Sequence, residues 1–243
     1  DQSLFLVSPN FSFIWGVCVF FTLFTGTFSL NAQQPFSLDS LWQGAYEAKR
    51  LESIRPMKDG TSYTVLEEAT SERATKIVRY EYVKQSKGEL LFDSSAFSEF
   101  QTFTSYSFSK EENKILIETD PIPVYRRSKV AKYWIYDLIT KSVEKISDNP
   151  IQEPLLSPDG SKVAYVFQRN LFVKDLITQK TTQLTYDGNY KTLNGITDWV
   201  YEEEFGFVRA FDWSADSNQL VFMRFDESNV PIFSMDIYGS DLY

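Results

Sequence analysis

Along most of the chain, apolar and β-branched residues fall in short runs: SYTVLEE, TKIVRYEYV, NKILIET, YWIYDL, KVAYVF, NLFVKDL and NQLVFMRF. Between them lie clusters of turn residues such as KDG, SPDG and YDGN. Short aromatic and β-branched runs punctuated in this way form strands joined by tight turns. The pattern predicts a mostly antiparallel β protein, with Asp159-Gly160 and Asp187-Gly188 as hairpin turn formers.

The runs repeat. SKEENKILI from Ser109, SPDGSKVAY from Ser157 and SADSNQLVF from Ser214 each set a serine six residues before an aliphatic strand start, at spacings of 48 and 57 residues. A second echo, YDLITKSVEKIS from Tyr136 and KDLITQKTTQLT from Lys174, separates Asp137 from Asp175 by 38 residues and reads as a strand-turn-strand hairpin in each copy. KDGTSYTVL from Lys58 is a more worn copy of the turn. Periods of about 40 to 50 residues with several strands per unit are the signature of propeller blades. The fold class expected is therefore all-β, a partial β-propeller of about four blades. A β-sandwich is the alternative, and it would give shorter strand spacing without the echo.

Departures from a repeat mark loops, and such loops often carry function. Ser109 to Asp137 is 28 residues whereas Ser157 to Asp175 is 18, so the earlier blade holds ten extra residues around DPIPVYRRSK, Asp120 to Lys129. Asp137 to Ser157 is 20 residues whereas Asp175 to Ser214 is 39, which places 19 extra residues within Tyr186 to Asp212. The first insertion brings Arg126 and Arg127, and the second contains DWVYEEEF.

The chain begins differently. FSFIWGVCVFFTLFTGTF, Phe11 to Phe28, carries no charge for 18 positions and is followed by SLNAQQ, in which Ala32 could end a signal-peptidase site. Residues 1–32 are read as a signal peptide or an uncleaved membrane anchor, the run being just long enough to span. The first basic residue is Lys49 and the chain opens on Asp1, so the expected positive start is missing. Residues 33–243 are read as the propeller portion.

Composition narrows the chemistry. With 243 residues, 43% hydrophobic and 16% aromatic, the chain has ample material for a packed core. A net charge of -9 argues against nucleic acid as a partner, since nothing resembles a basic stripe able to displace counterions. The absence of histidine removes a Ser-His-Asp triad contained in this chain, and there is no G-x-S-x-G elbow. The single cysteine, Cys18, leaves no thiolate metal site or internal disulfide. No cofactor and no metal are expected; a calcium site would want an Asp-x-Asp-x-Asp-Gly loop that is absent.

NGITDWVYEEEFGFVRAFDWSADSNQLVFMRFDESNVP resembles the N-terminal propeller of the dipeptidyl peptidase IV family of prolyl-oligopeptidase-type serine exopeptidases, through the long D-W-x-Y-E-E-E motif. The resemblance extends through SPDGSKVAYVFQRNLFV and VYRRSKVAKYWIYDL. It implies an eight-bladed propeller and an exported enzyme, periplasmic, secreted or membrane-anchored, that removes X-Pro or X-Ala dipeptides from peptide N-termini. It further implies a Ser-Asp-His triad in a C-terminal hydrolase domain that is absent from this sequence, and a homodimer. The chain then reads as a fragment of a longer product, without catalytic residues or peptidase activity of its own. The partners implied are peptide substrates with a free N-terminus and that hydrolase domain; a non-catalytic propeller that binds peptides or proteins is the alternative.

The resemblance assigns the substrate α-ammonium to Glu203 and Glu204, with Arg126 at the substrate-binding arginine's place. Paired carboxylates bind an ammonium by charge-assisted hydrogen bonds, and the guanidinium offers fixed donors to a substrate carbonyl while steadying a nearby glutamate. Neighbours on a strand point to opposite faces, whereas helical neighbours are about 100° apart. Val200 to Phe205 is therefore placed on a short helical turn, capped by Thr197 or Asp198 and anchored by Trp199 and Tyr201, with Trp134, Trp199 and Trp213 packing between sheets. Glu202 is expected to matter much less than Glu204. The plainer readings are a solvated acidic loop for EEE and an exposed hairpin position for Arg126.

Overall fold

The computed structural model describes residues 37–48, 54–69, 74–83, 87–100 and 102–234. The apolar run at Phe11 to Phe28 and the exit at Ala32 lie outside them, and among the described residues no helix is long and apolar enough to cross a membrane. The chain divides into two compact units, Asp1–Arg50 and Leu51–Tyr243. In the first, a short helix α1 (Leu38–Trp42) starts at Ser37, whose hydroxyl accepts the Ser40 N–H.

The second unit is a series of antiparallel sheets. β1 (Arg55–Pro56), β2 (Ser62–Ala69), β3 (Ala74–Glu81) and β4 (Glu89–Asp93) form the first, in chain order. β5 (Ser105–Phe108), β6 (Lys114–Pro123), β7 (Lys129–Asp137) and β8 (Val143–Lys145) form the second. β9 (Gln152–Leu156), β10 (Lys162–Phe167), β11 (Asn170–Asp175) and β12 (Thr181–Gln183) form the third. β13 (Thr192–Asn194) pairs with β16 (Arg224–Asp226) and β14 (Phe211–Trp213) with β15 (Leu220–Phe222); the Gly195 N–H on the Met223 carbonyl and the Met223 N–H on the Ala210 carbonyl join these two pairs, taken together as the fourth sheet.

The repeated serine is explained by one turn used four times. The N–H of Ser109, Ser157 and Ser214 donates to the carbonyl of Lys114, Lys162 and Gln219 respectively, and each serine hydroxyl accepts the N–H of that same residue. Met57 makes the backbone half of this pattern with Ser62. The third residue after each start has positive φ: Gly60 at 68°, Glu112 at 55°, Gly160 at 69° and Ser217 at 63°. The second echo is equally local. Asp137 accepts the N–H groups of Ile139 and Thr140, and Asp175 those of Ile177 and Thr178, closing the β7–β8 and β11–β12 hairpins.

Packing decides between propeller and sandwich. Strand residues alternate between faces, and here both faces of a sheet are covered by different neighbours. Ile115 and Ile117 of β6 pack with Ile77 and Phe92 of the first sheet, whereas Leu116 joins Val163 and Tyr165 of the third. Ala164 and Val166 then join Leu193 and Phe211 of the fourth. Consecutive sheets pack on one another, the second and third being covered on both faces, which is the stacking of propeller blades; a two-sheet sandwich would leave one face of each sheet to solvent. The chain is all-β, a partial β-propeller.

Two expectations need correction. Trp134 is buried, with its indole N–H on Thr119, and Trp213 packs on the third sheet with its N–H on the Leu155 carbonyl. Trp199, however, is 55% exposed rather than packed between sheets; it sits in the first turn of a helix whose aromatic contacts are made by Tyr201. Asp187-Gly188 forms no turn: it lies in the extended link before β13, where Asp187 accepts the Asn194 amide and the Arg224 guanidinium.

Candidate functional site

The second insertion lies between β13 and β14 of the fourth blade. β13 ends at Asn194, the chain leaves the sheet and returns, and β14 begins at Phe211. The neck of the excursion is closed by pairing Ile196 with Arg209, by the Thr197 N–H on the Val208 carbonyl and by the Thr197 hydroxyl on the Phe207 carbonyl. Gly195, at φ 77°, makes the turn out of the sheet; a Cβ there would lie 3.2 Å from Leu171, Phe211 and Val166 at once.

The excursion carries helix α2 (Trp199–Phe205). Asp198 caps it, accepting the Tyr201 N–H, and Gly206 ends it in the left-handed region with its N–H on the Glu202 carbonyl. Isolated helices this short are unstable, so tertiary contacts hold it. Tyr201 packs tilted against Phe205 and edge-on against Phe207 and Phe225, at ring-centroid distances of 5.0, 6.3 and 4.8 Å. The helical turn expected over Val200 to Phe205 is present, with Asp198 rather than Thr197 as its cap.

The three glutamates have different fates. Glu202 is 1% exposed, and its Oε1 accepts the backbone N–H groups of Arg127 at 2.6 Å and Ser128 at 2.8 Å. Burial pushes its carboxyl up, but the hydrogen bonds from Ser128 and Arg127 and the Arg127 charge outweigh that and hold it below the ordinary glutamate value. The Glu203 side chain is 18% exposed, with Oε2 3.4 Å from Nη1 of Arg126. That separation exceeds a good charge-assisted hydrogen bond, so the carboxylate keeps acceptor capacity for a further donor. Glu204, one position on, is exposed. The structure thus brings Glu203 and Arg126 together and leaves Glu204 beside them at the surface.

Arg126 comes from the first insertion, which lengthens the β6–β7 hairpin. Its tip closes where the N–H groups of Val124 and Tyr125 donate to the Ser128 carbonyl. The Arg126 side chain is 73% exposed, and the Arg127 guanidinium carbon lies 3.8 Å from where a Cβ on Gly206 would stand, at the C-terminal end of α2. A cation is favoured at that end of a helix.

Glu118 pairs with Lys129 at 2.7 Å and accepts the Tyr133 hydroxyl at 2.8 Å. Burial, with the Glu118 charge, pushes the Tyr133 hydroxyl well above its usual range, so it stays protonated as a donor. Burial also raises the Glu153 carboxyl, while Arg209 and Lys129 oppose the rise. Among the described residues no group of three or more histidine, cysteine, aspartate or glutamate residues could hold a metal ion. Sequence reasoning missed Glu202 as a buried tie and Ser128 and Arg127 as its donors; the available signal was that both insertions place polar residues where the repeat has none.

Residues 109–243 match the family model described as the dipeptidyl peptidase IV (DPP IV) N-terminal region. Prolyl endopeptidase FAP of Mus musculus is 37% identical over 144 residues, covering 58% of this chain and 19% of its own length. Probable dipeptidyl-aminopeptidase B of Talaromyces marneffei is 29% identical over 233 residues, covering 89% of this chain and 26% of its own length. The crystal structure of Porphyromonas gingivalis dipeptidyl peptidase 4 superposes with a TM-score of 0.75 at 37% identity, over 87% of this chain and 30% of that one. The chain spans 19% to 26% of the length of these curated relatives. The family match begins at Ser109, the first of the repeated turn serines, and takes in both insertions with Arg126, Glu203 and Glu204. The chain belongs to the dipeptidyl peptidase IV N-terminal region family.

Proposed function

We propose that this chain is the N-terminal propeller portion of an exported serine-type dipeptidyl peptidase that removes X-Pro or X-Ala dipeptides from free peptide N-termini. Glu203 and Glu204 hold the substrate α-ammonium, and Arg126 donates to the substrate carbonyl while steadying Glu203. A C-terminal hydrolase domain supplies the nucleophile, and the assembled enzyme is a homodimer. The observation that carries the reading is the mostly buried Glu203 carboxylate 3.4 Å from Arg126, with Glu204 adjacent on the same short helix. A carboxylate already satisfied would have no use for an ammonium; this one has room.

An α-amine titrates near pH 7.7 to 8.0, so kcat/KM for a Gly-Pro chromogenic substrate on the full-length protein should fall as pH rises through that range. An N-acetylated version should be refused. Equal cleavage of blocked and free substrates would defeat the ammonium reading. It would favour a second reading, internal cleavage after proline, which the name of the prolyl endopeptidase relative supports. A full-length sequence that continues without a hydrolase domain would leave the non-catalytic binding module instead.

A further inference from the structure

The most constrained acid in the motif is Glu202, which is 1% exposed. A fully buried carboxylate persists only when it is hydrogen-bonded, and this one spends a single oxygen on two successive backbone N–H groups at the tip of another blade's hairpin. The sequence separations are 75 and 74 residues, so the tie joins the two insertions themselves. Adjacency does the rest. Arg126 immediately precedes the first tethered amide, and Glu203 immediately follows the tethering acid. Bonding residue 127 to residue 202 therefore sets the side chains of 126 and 203 next to each other, and their 3.4 Å separation follows. The Arg127 guanidinium stands beside Gly206, at the C-terminal end of α2.

We propose that Glu202 is a positioning residue: its buried carboxylate fixes the β6–β7 hairpin tip so that Arg126 stays beside Glu203. The inference rests on the reading of Glu203, Glu204 and Arg126 as the ammonium site, but the tie itself is measurable without it. A hairpin of this length reaching out of its sheet otherwise has no reason to hold one arginine in register with a helix two blades on. Because Arg126 is 73% exposed, its own packing cannot fix it. The backbone on which it stands must.

The test uses the full-length protein with Glu202→Ala, Glu202→Gln, Arg126→Ala and the Glu202→Gln/Arg126→Ala pair. Amide hydrogen exchange over residues 124–129 reads the tie, and KM and kcat for a free-N-terminus dipeptidyl substrate read the site. Glu202→Ala should speed exchange at Arg127 and Ser128 and raise KM by roughly tenfold to a hundredfold, as loss of hydrogen bonds to a charged group does. Glu202→Gln keeps an acceptor oxygen without the charge; its rise in KM should be only a few-fold. It also keeps the test open if the alanine variant fails to fold. In the Arg126→Ala background, Glu202→Gln should change KM by less than about twofold, because the residue acts through Arg126. Unchanged exchange in Glu202→Ala, an unchanged KM despite faster exchange, or independent multiplication of the two single effects would each overturn the positioning role. Should Glu203→Ala and Glu204→Ala leave KM unchanged while the exchange and the non-additivity appear as expected, the ammonium reading falls and the positioning of Arg126 by Glu202 stands.

Discussion

The β6–β7 and β10–β11 hairpins start alike and end differently. Both leave the repeated serine turn and pair in step, Lys114 with Asp137 and Lys162 with Asp175, for six residue pairs each. In the third blade the chain then turns at once: Gln168 and Arg169, at φ 47° and 60°, form a two-residue connection between Phe167 and Asn170. In the second blade the equivalent pair is Thr119 and Lys132, and the register breaks immediately beyond it, with Asp120 at φ 50°. The hairpin resumes at Ile122 and Val130 and runs on to the tip that meets α2. The lesson is that the repeat and its departures are separable. The shared part is set by local hydrogen bonds and packs the blades; the added part begins where the shorter hairpin ends, and its tip is tied to the other insertion.

If that separation holds, changes in the added parts should cost activity and changes in the shared turns should cost stability. The largest effect is expected from Glu203→Ala or Glu204→Ala in the full-length protein. With the substrate ammonium bound over them in the full-length protein, removing one partner of a charged hydrogen bond that the ligand buries costs about 2 to 5 kcal/mol, so kcat/KM should fall roughly 30-fold to several thousand-fold, with the melting temperature little changed. Next comes Gly160→Ala in the shared turn. A Cβ there meets nothing closer than 3.9 Å, so the penalty is purely the left-handed backbone, about 1 to 2 kcal/mol, read as a lower denaturation midpoint with KM unaltered.

A smaller effect concerns acid. Burial pushes the Asp137 carboxyl up, but the Lys114 ammonium and the N–H groups of Thr140 and Ile139 outweigh it and hold it at about 2. Its folded value lies below its unfolded one, so the stabilisation is fully present above about pH 4 and is lost as pH falls towards 2. Allowing for solvent screening of a partly exposed pair, it is on the order of 1 kcal/mol. Denaturant titrations between pH 5 and 2 should show Asp137→Asn with a flatter acid arm than the wild type. The smallest change is a gain: Lys141 sits at φ 61° on an exposed turn, and Lys141→Gly should leave stability unchanged or raise it by up to about 1 kcal/mol, relief of strain being offset by a floppier unfolded chain. A clear destabilisation would show that the side chain, rather than the turn, matters there.

Much of this was legible in the chain itself. Ser109, Ser157 and Ser214 bond the residue five positions later, and Asp137 and Asp175 cap turns two and three positions on, so turn and spacing are written in the same few residues. Both insertions could be located by counting between those marks, and the helical turn at Trp199–Phe205 follows from its cap and its acids. What the tertiary structure decided was which way each residue faces. Three consecutive glutamates on a helix lie about 100° apart, and no local rule says which points inward. Glu202 is buried because two N–H groups 74 and 75 residues away arrive on its side of α2, and Trp199 is exposed because none of the blades does so on its own. Local hydrogen-bonding chemistry fixes turns and periods within a few residues, whereas burial of a given side chain depends on partners that only the stacking of sheets brings near.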